Sequence, residues 1–315
     1  MNKIFNNGDA GENNQLLIIK PRTDIEEEDI VKSNTTIDEL NTEPLKQKWA
    51  KLINGEISLK EGIFEESSLS QWTNILDVNA SPSTSLLNTS FSTNSLFTPA
   101  TFSISKVPSI LQKYFIKRRK LFAKYDEGCW LDEEGWYSIT PEKLAIHIAE
   151  RCRANTVVDA FCGVGGNSIQ LAFTCERVIA FDIDPIKLMC AKRNARIYGV
   201  EDRIEFILGD CTKYLDKLKF DAIFLSPPWG GPSYTKQKEF DLKTMMIGDI
   251  NGIELFKMCR KLTPNIAYFL PRNCILSQLK ELGDPECECE IEESYIGGHF
   301  VALTAYYGDL QRVYE

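Results

Sequence analysis

The run TVVDAFCGVGGN, residues 156–167, decides the fold. Its β-branched half reads as a buried strand. Its glycine-rich half reads as a turn that opens a helix, letting backbone approach a ligand closely beyond the strand end. Alone the run is ambiguous, because glycines also serve helix–strand packing and a dinucleotide-binding enzyme carries a similar stretch. The polar residues that end the neighbouring strands separate these readings.

Outward from that run, apolar strands alternate with amphipathic helices, the pattern of a parallel sheet covered on both faces. Strands are expected at 156–161, 177–183, 203–209, 220–226 and 266–271, with helices at 166–174, 185–198 and 249–262. The chain then changes style. Segments 286–295 and 300–307, joined at Gly297-Gly298, read as an antiparallel hairpin. Three aspartates fall in register: Asp159 before the glycine loop, Asp182 at the end of the second strand and Asp210 at the end of the third. A carboxylate at Asp182 can accept both ribose hydroxyls of an adenosyl group, Asp210 would lie near its adenine amine, and Asp159 could orient an ammonium group. Gly163 and Gly165 supply the close approach. Each aspartate alone is also what a capping or strand-end residue looks like, but the set points to S-adenosylmethionine. The expected architecture is therefore α/β, class I (Rossmann-like), with a mostly parallel seven-stranded sheet ending in a hairpin and a small helical N-terminal lobe.

The fourth strand runs into FDAIFLSPPWGG, residues 220–231. Two prolines fix φ and remove donors, so the chain leaves the sheet rigidly with free carbonyls at the cleft, followed at once by an aromatic ring. That is the form of the Asn/Asp-Pro-Pro-aromatic motif of amino methyltransferases, with Ser226 in the first position. By resemblance to that motif, Ser226 and the Pro227 carbonyl are candidates to accept from a planar exocyclic amine, and Trp229 to stack on the base. A hydroxyl cannot stabilise positive charge as a carboxylate would, so placement of the nitrogen must supply most of the rate.

Before the glycine run, residues 110–125 combine Lys113, Lys117, Arg118, Arg119, Lys120 and Lys124 with apolar residues at helical spacing, an amphipathic basic helix. Thr140-Pro141 reads as the cap and first residue of the next helix. Residues 1–105 differ: an acidic run at 26–29, one short helix expected over 44–53, and a Ser/Thr/Asn-rich tract over 65–105 read as a mostly disordered appendage. Domains are thus expected at 1–105, 106–153 and 154–315. The net charge of −9 argues against coating nucleic acid through a global field, so any RNA contact must use a local basic patch. No run approaches the roughly 18 apolar residues of a membrane span. Ten cysteines without a CxxC spacing read as reduced packing residues rather than a metal site.

Four segments, LDEEGWYSITPE (131–142), DAFCGVGGN (159–167), FLSPPWGGP (224–232) and LTAYYGD (303–309), together resemble the trimethylguanosine synthase family over about residues 112–312. The resemblance implies transfer of two methyl groups from S-adenosylmethionine to N2 of a 7-methylguanosine cap on small nuclear and nucleolar RNAs. It implies that Trp229 stacks on the cationic base, that Ser226 and Pro227 adjoin the amine, and that Glu134 pairs with the guanine edge. It places Thr140, Asp159, Asp182 and Asp210 at the cofactor and Phe122 in a lobe closing over it, and it leaves Tyr234, Arg272 and Lys117 as candidates for the cap phosphates. A nuclear and nucleolar location, with the cytoplasm open, and ribonucleoprotein partners for the appendage are further expectations. Two alternatives remain at this stage: an amino methyltransferase of an internal RNA or DNA base, and a cap-binding scaffold without catalysis.

Overall fold

The computed structural model describes residues 107–231, 237–283 and 289–311, together with strands at Lys3–Ile4 and Leu17–Pro21. The expected helix at 44–53 and the tract from 65 lie outside the described residues. In chain order the elements are β1 (Lys3–Ile4), β2 (Leu17–Pro21), α1 (Ser109–Phe115), α2 (Arg118–Leu121), α3 (Gly135–Ser138), α4 (Glu142–Arg151), β3 (Thr156–Asp159), α5 (Gly166–Thr174) and β4 (Arg177–Asp182). There follow α6 (Pro185–Tyr198), β5 (Ile204–Leu208), β6 (Ala222–Leu225), β7 (Met246–Ile247), β8 (Ile250–Asn251), α7 (Gly252–Arg260), β9 (Asn265–Pro271), α8 (Leu276–Leu282), β10 (Glu290–Ile296) and β11 (His299–Tyr307).

The main sheet has the order β1-β2-β10-β11-β9-β6-β3-β4-β5. From β9 to β5 it is parallel, and β11 and β10 then join antiparallel. These are the seven strands expected from the apolar runs. Because β4 and β5 add to one side of β3 while β6 and β9 add to the other, the chain reverses direction at β3. Connections diverge there and leave a crevice beyond the strand ends. Val157, Val158, Ala222, Ile223 and Phe224 are fully buried, as a strand covered on both faces demands. The appendage contributes a part that composition hides: β2 pairs antiparallel with the outer edge of β10, Pro21 opposite Glu292 and Leu17 opposite Ile296.

Three local expectations change. The basic stretch is two short helices, because after α1 the Lys117 amide bonds the Tyr114 carbonyl at 2.8 Å and the helix tightens and stops. The break lets Phe115 and Leu121 both turn inward while Arg118 and Arg119 reach Asp126 at 2.8 and 2.6 Å. Thr140 does not cap α4; Pro141 stands at the cap and the Thr140 hydroxyl faces Asn167 instead. The helix expected from 249 starts at Gly252, after a β7–β8 hairpin that turns at Gly248 (φ +58°). Asn251 and Glu254 form a reciprocal capping box there.

The lobe is held to the C-terminal hairpin by a buried ionic cluster. Arg151 of α4 bonds Glu290 at 2.6 Å, Glu292 and the Leu310 carbonyl, and its guanidinium lies 3.9 Å from the Tyr306 ring centre. His147, one turn earlier, meets Glu292 at 2.8 Å. Nine cysteines are free among the described residues, eight of them buried, and no group of side chains with metal-ligand geometry occurs there.

Candidate active site

At the crevice, Gly163 adopts φ +54° and donates its amide to Asp182 Oδ2 at 2.9 Å, while the Asp184 amide donates to Oδ1 at 2.9 Å. A Cβ on Gly163 would meet nothing within 4 Å, so the loop here is open to a ligand and glycine serves its left-handed backbone. Gly165 has a different duty. A Cβ there would come 3.0 Å from Ala191 Cα, so this glycine lets α5 and α6 close against each other. Burial holds the Asp182 carboxyl up, at about 6. Asp210 caps the short turn Cys211–Lys213 through the Thr212 amide at 3.0 Å and hydroxyl at 2.6 Å.

Asp159 behaves otherwise than expected. Its carboxylate is fully buried, accepts from the Ser168 hydroxyl at 2.6 Å and is pushed up to about 7 by desolvation. It therefore ties the glycine loop to α5 and is not laid open to an ammonium group. Beside it stands a residue that sequence reasoning passed over. Asn167 Nδ2 donates to Thr140 Oγ1 at 2.9 Å, and Asn167 Oδ1, buried on the first turn of α5, has no partner. A buried acceptor left orphaned beside the glycine loop is a place that a bound donor would satisfy. Ile183, 71% exposed between Asp182 and Asp184, was also missed. A bare aliphatic side chain at the crevice is a surface for a flat apolar ring. Open loop, strand-end carboxylate, orphaned acceptor and bare isoleucine together fit an adenosylated amino acid.

Across the crevice, Ser226 leaves β6 and donates its hydroxyl to the Phe161 carbonyl at 3.3 Å. Its proton is thus engaged, and its lone pairs are what it offers a substrate. The bond also joins the Ser-Pro-Pro-Trp segment to the stretch between Asp159 and the glycine loop, bringing those two segments to one place. Trp229 is half-buried against Phe269 of β9, ring centres 5.3 Å apart, and Phe269 rests in turn on Phe224. Arg272, just past β9 and so at the same end of the sheet, is exposed and donates to the Phe300 carbonyl at 3.2 Å. Lys117 is exposed at the break between α1 and α2. Tyr234 lies outside the described residues.

The lobe reaches this site as a strap laid along α6. The Phe122 ring packs on Tyr198 at 5.9 Å, the Gly128 carbonyl accepts from Arg193 at 2.8 Å, and the Trp130 backbone exchanges bonds with the Asn194 amide at 2.7 and 2.8 Å. Asp132 and Glu134 then meet Lys187 at 2.9 and 3.1 Å. Glu134 is thereby delivered to the head of α6, near Asp182. Phe122 lies at the other end of α6, against Tyr198, and is buried in the lobe's core. Trp136, Tyr125 and Phe115 form the centre of that core, with ring centres 5.4 to 6.1 Å apart.

Residues 154–310 match the family model described as RNA cap guanine-N2 methyltransferase. Over 214 residues the chain is 39% identical to the trimethylguanosine synthase of Schizosaccharomyces pombe, covering 64% of this chain and 87% of that protein. Over 210 residues it is 38% identical to the trimethylguanosine synthase of Saccharomyces cerevisiae, covering 60% of this chain and 66% of that one. Among solved structures, a Porphyromonas gingivalis W83 protein classed as a methyltransferase shares the fold at a TM-score of 0.50 and 12% identity, covering 80% of this chain and 60% of that one.

Proposed function

Since the chain belongs to the RNA cap guanine-N2 methyltransferase family, we propose that its substrates are the 7-methylguanosine caps of small nuclear and nucleolar RNAs, carried to 2,2,7-trimethylguanosine in the nucleus. It is an S-adenosylmethionine-dependent methyltransferase of capped RNA. The observation that carries the site assignment is the Ser226 to Phe161 hydrogen bond, which sets an amine acceptor beside the glycine loop.

In this reading Asp182 receives the ribose hydroxyls, Asp210 the adenine amine and Asn167 Oδ1 the ammonium group. When bound, the cofactor supplies a methyl group on a sulfonium centre, open to in-line displacement. The chain's own task is placement. Trp229 stacks on the 7-methylguanine, whose fixed positive charge the indole face attracts by roughly 0.5–2 kcal/mol. Ser226 Oγ and the Pro227 carbonyl accept from the N2 amine and aim its lone pair, while Glu134 takes the guanine edge. No side chain is assigned as base, because the amine becomes acidic on methylation and releases its proton to water.

Mass analysis of products tests this. A 7-methylguanosine cap analogue with S-adenosylmethionine should gain two methyl groups, and unmethylated guanosine nucleotides should gain none. Equal reaction of both, or of neither, would sink the cap assignment. Imaging of the tagged protein tests the nuclear location.

A further inference from the structure

We propose that Lys187 is a positioning residue of the cap pocket: by bridging Asp132 and Glu134 it holds the Glu134 carboxylate ready for the guanine edge. The idea rests on the reading that Glu134 faces the cap.

Lys187 stands in the first turn of α6, shortly after the strand-end Asp182, and its side chain is 13% exposed. Its ammonium lies 2.9 Å from Asp132 Oδ2 and 3.1 Å from Glu134 Oε2. The two carboxylates are not equivalent. Asp132, 11% exposed, uses its other oxygen to accept the Gly135 amide at 3.0 Å, so both its oxygens are engaged within the fold. Glu134 is 42% exposed, and its Oε1 has no hydrogen bond or ion pair among the described residues. Anchoring the lobe needs only the Asp132 arm. The Glu134 arm adds order to a side chain that would otherwise sample several rotamers at the surface.

The surroundings support a device for orientation. A Cβ on Gly135 would stand 2.6 Å from Asp132 Oδ1 and 3.0 Å from Val164 Cγ1, so the peptide following Glu134 is pressed onto the glycine loop itself. Glu134 therefore has its backbone fixed by that contact and one oxygen fixed by Lys187, leaving one oxygen to receive a donor. With the N2 amine taken by Ser226 and Pro227, guanine still offers the adjacent N1 hydrogen on the same edge, one donor for that one oxygen. A carboxylate held in one orientation meets that edge with little left to organise.

The test uses the full chain with 7-methylguanosine diphosphate as the probe. K187M should raise KM for the probe about ten-fold, the scale of a charge-assisted hydrogen bond, with kcat falling less than about three-fold. Cofactor affinity, by calorimetry, should stay within about three-fold. K187R should recover most of the loss, since a guanidinium can also bridge two carboxylates. E134Q should raise KM similarly, and the double variant should be no worse than E134Q alone, because Lys187 acts through Glu134. An unchanged KM in K187M, or effects that multiply in the double variant, would overturn the proposal while leaving Glu134 in place. K187M also breaks the buried Asp132 arm and so lowers the melting temperature in any case; a loss of cofactor affinity as large as the rise in KM would overturn the proposal, marking Lys187 as purely structural. An unchanged KM in E134Q would remove the reading beneath it. Should K187M fail to fold, K187Q keeps a neutral donor at the position and carries the same expectations.

Discussion

In the proposed reading Asp182 serves the cofactor and Trp229 the cap, and substitutions should separate them. Burial raises the Asp182 carboxyl to about 6, against about 3.9 in an unfolded chain. Below pH 6 it is neutral and a poorer acceptor for ribose hydroxyls, so cofactor affinity should weaken as pH falls through 6. Asp182→Asn should bind more weakly with that slope gone, while Trp229→Ala should lose cap affinity about ten-fold or more and keep the cofactor. Calorimetry from pH 5 to 8 checks both, and parallel loss of both ligands in Trp229→Ala would make the indole structural. Stability has the opposite sign. Between about 4 and 6 the native Asp182 binds the proton that the unfolded chain releases, so its contribution without ligand declines as pH rises. The strand-end positions of the aspartates were legible in the sequence because their spacing follows the strands, but the burial of Asp159 against Ser168 was not. Asn167 and Lys187 were not, since an orphaned oxygen and a pairing across more than fifty residues exist only once the chain is folded.

Among the elements, α4 is the one whose attachment is most concentrated. It meets the hairpin through Arg151, His147, Glu290 and Glu292, all with side chains under a tenth exposed. Removing one partner strands the others: Glu292→Ala should cost about 3–5 kcal/mol in denaturant unfolding, whereas breaking the exposed Arg153–Glu150 pair should cost about 0–1 kcal/mol. A near-equal effect of the two would mean that water reaches the cluster. The parallel strands were readable because residues buried on both faces form unbroken apolar runs, and their ends were overdrawn because Phe161 and Ser226, though apolar-flanked, have already left the ladder for the crevice. The break in the basic helix was not readable. It rests on the backbone bond from the Lys117 amide to the Tyr114 carbonyl, which the charge and apolar spacing of the run do not reveal. The β7–β8 hairpin escaped for a related reason: its strands are two residues each and carry no periodicity.

For the molecule as a whole, the first residues matter to the sheet more than their composition suggests. Deleting residues 1–105 removes β1 and β2 and leaves the outer edge of β10 without a neighbour. Methylation of a small cap analogue should persist, since the described site residues lie from Lys117 onward. The truncated chain should nonetheless self-associate as its concentration rises, because a bare edge strand templates another. Light scattering reads that outcome; a truncation that stays monomeric would show that β10 needs no cover, and one that folds but is inactive would place the appendage in the active site. Pairing Leu17 with Ile296 also has a consequence in time. These residues are about 280 positions apart, so on the ribosome the early strand must wait, its partner still unmade, until β10 has emerged. Such a distant pairing is slow to find, which makes the closing of this edge a late event in biosynthesis and the interval before it the period when nascent chains are most exposed to one another.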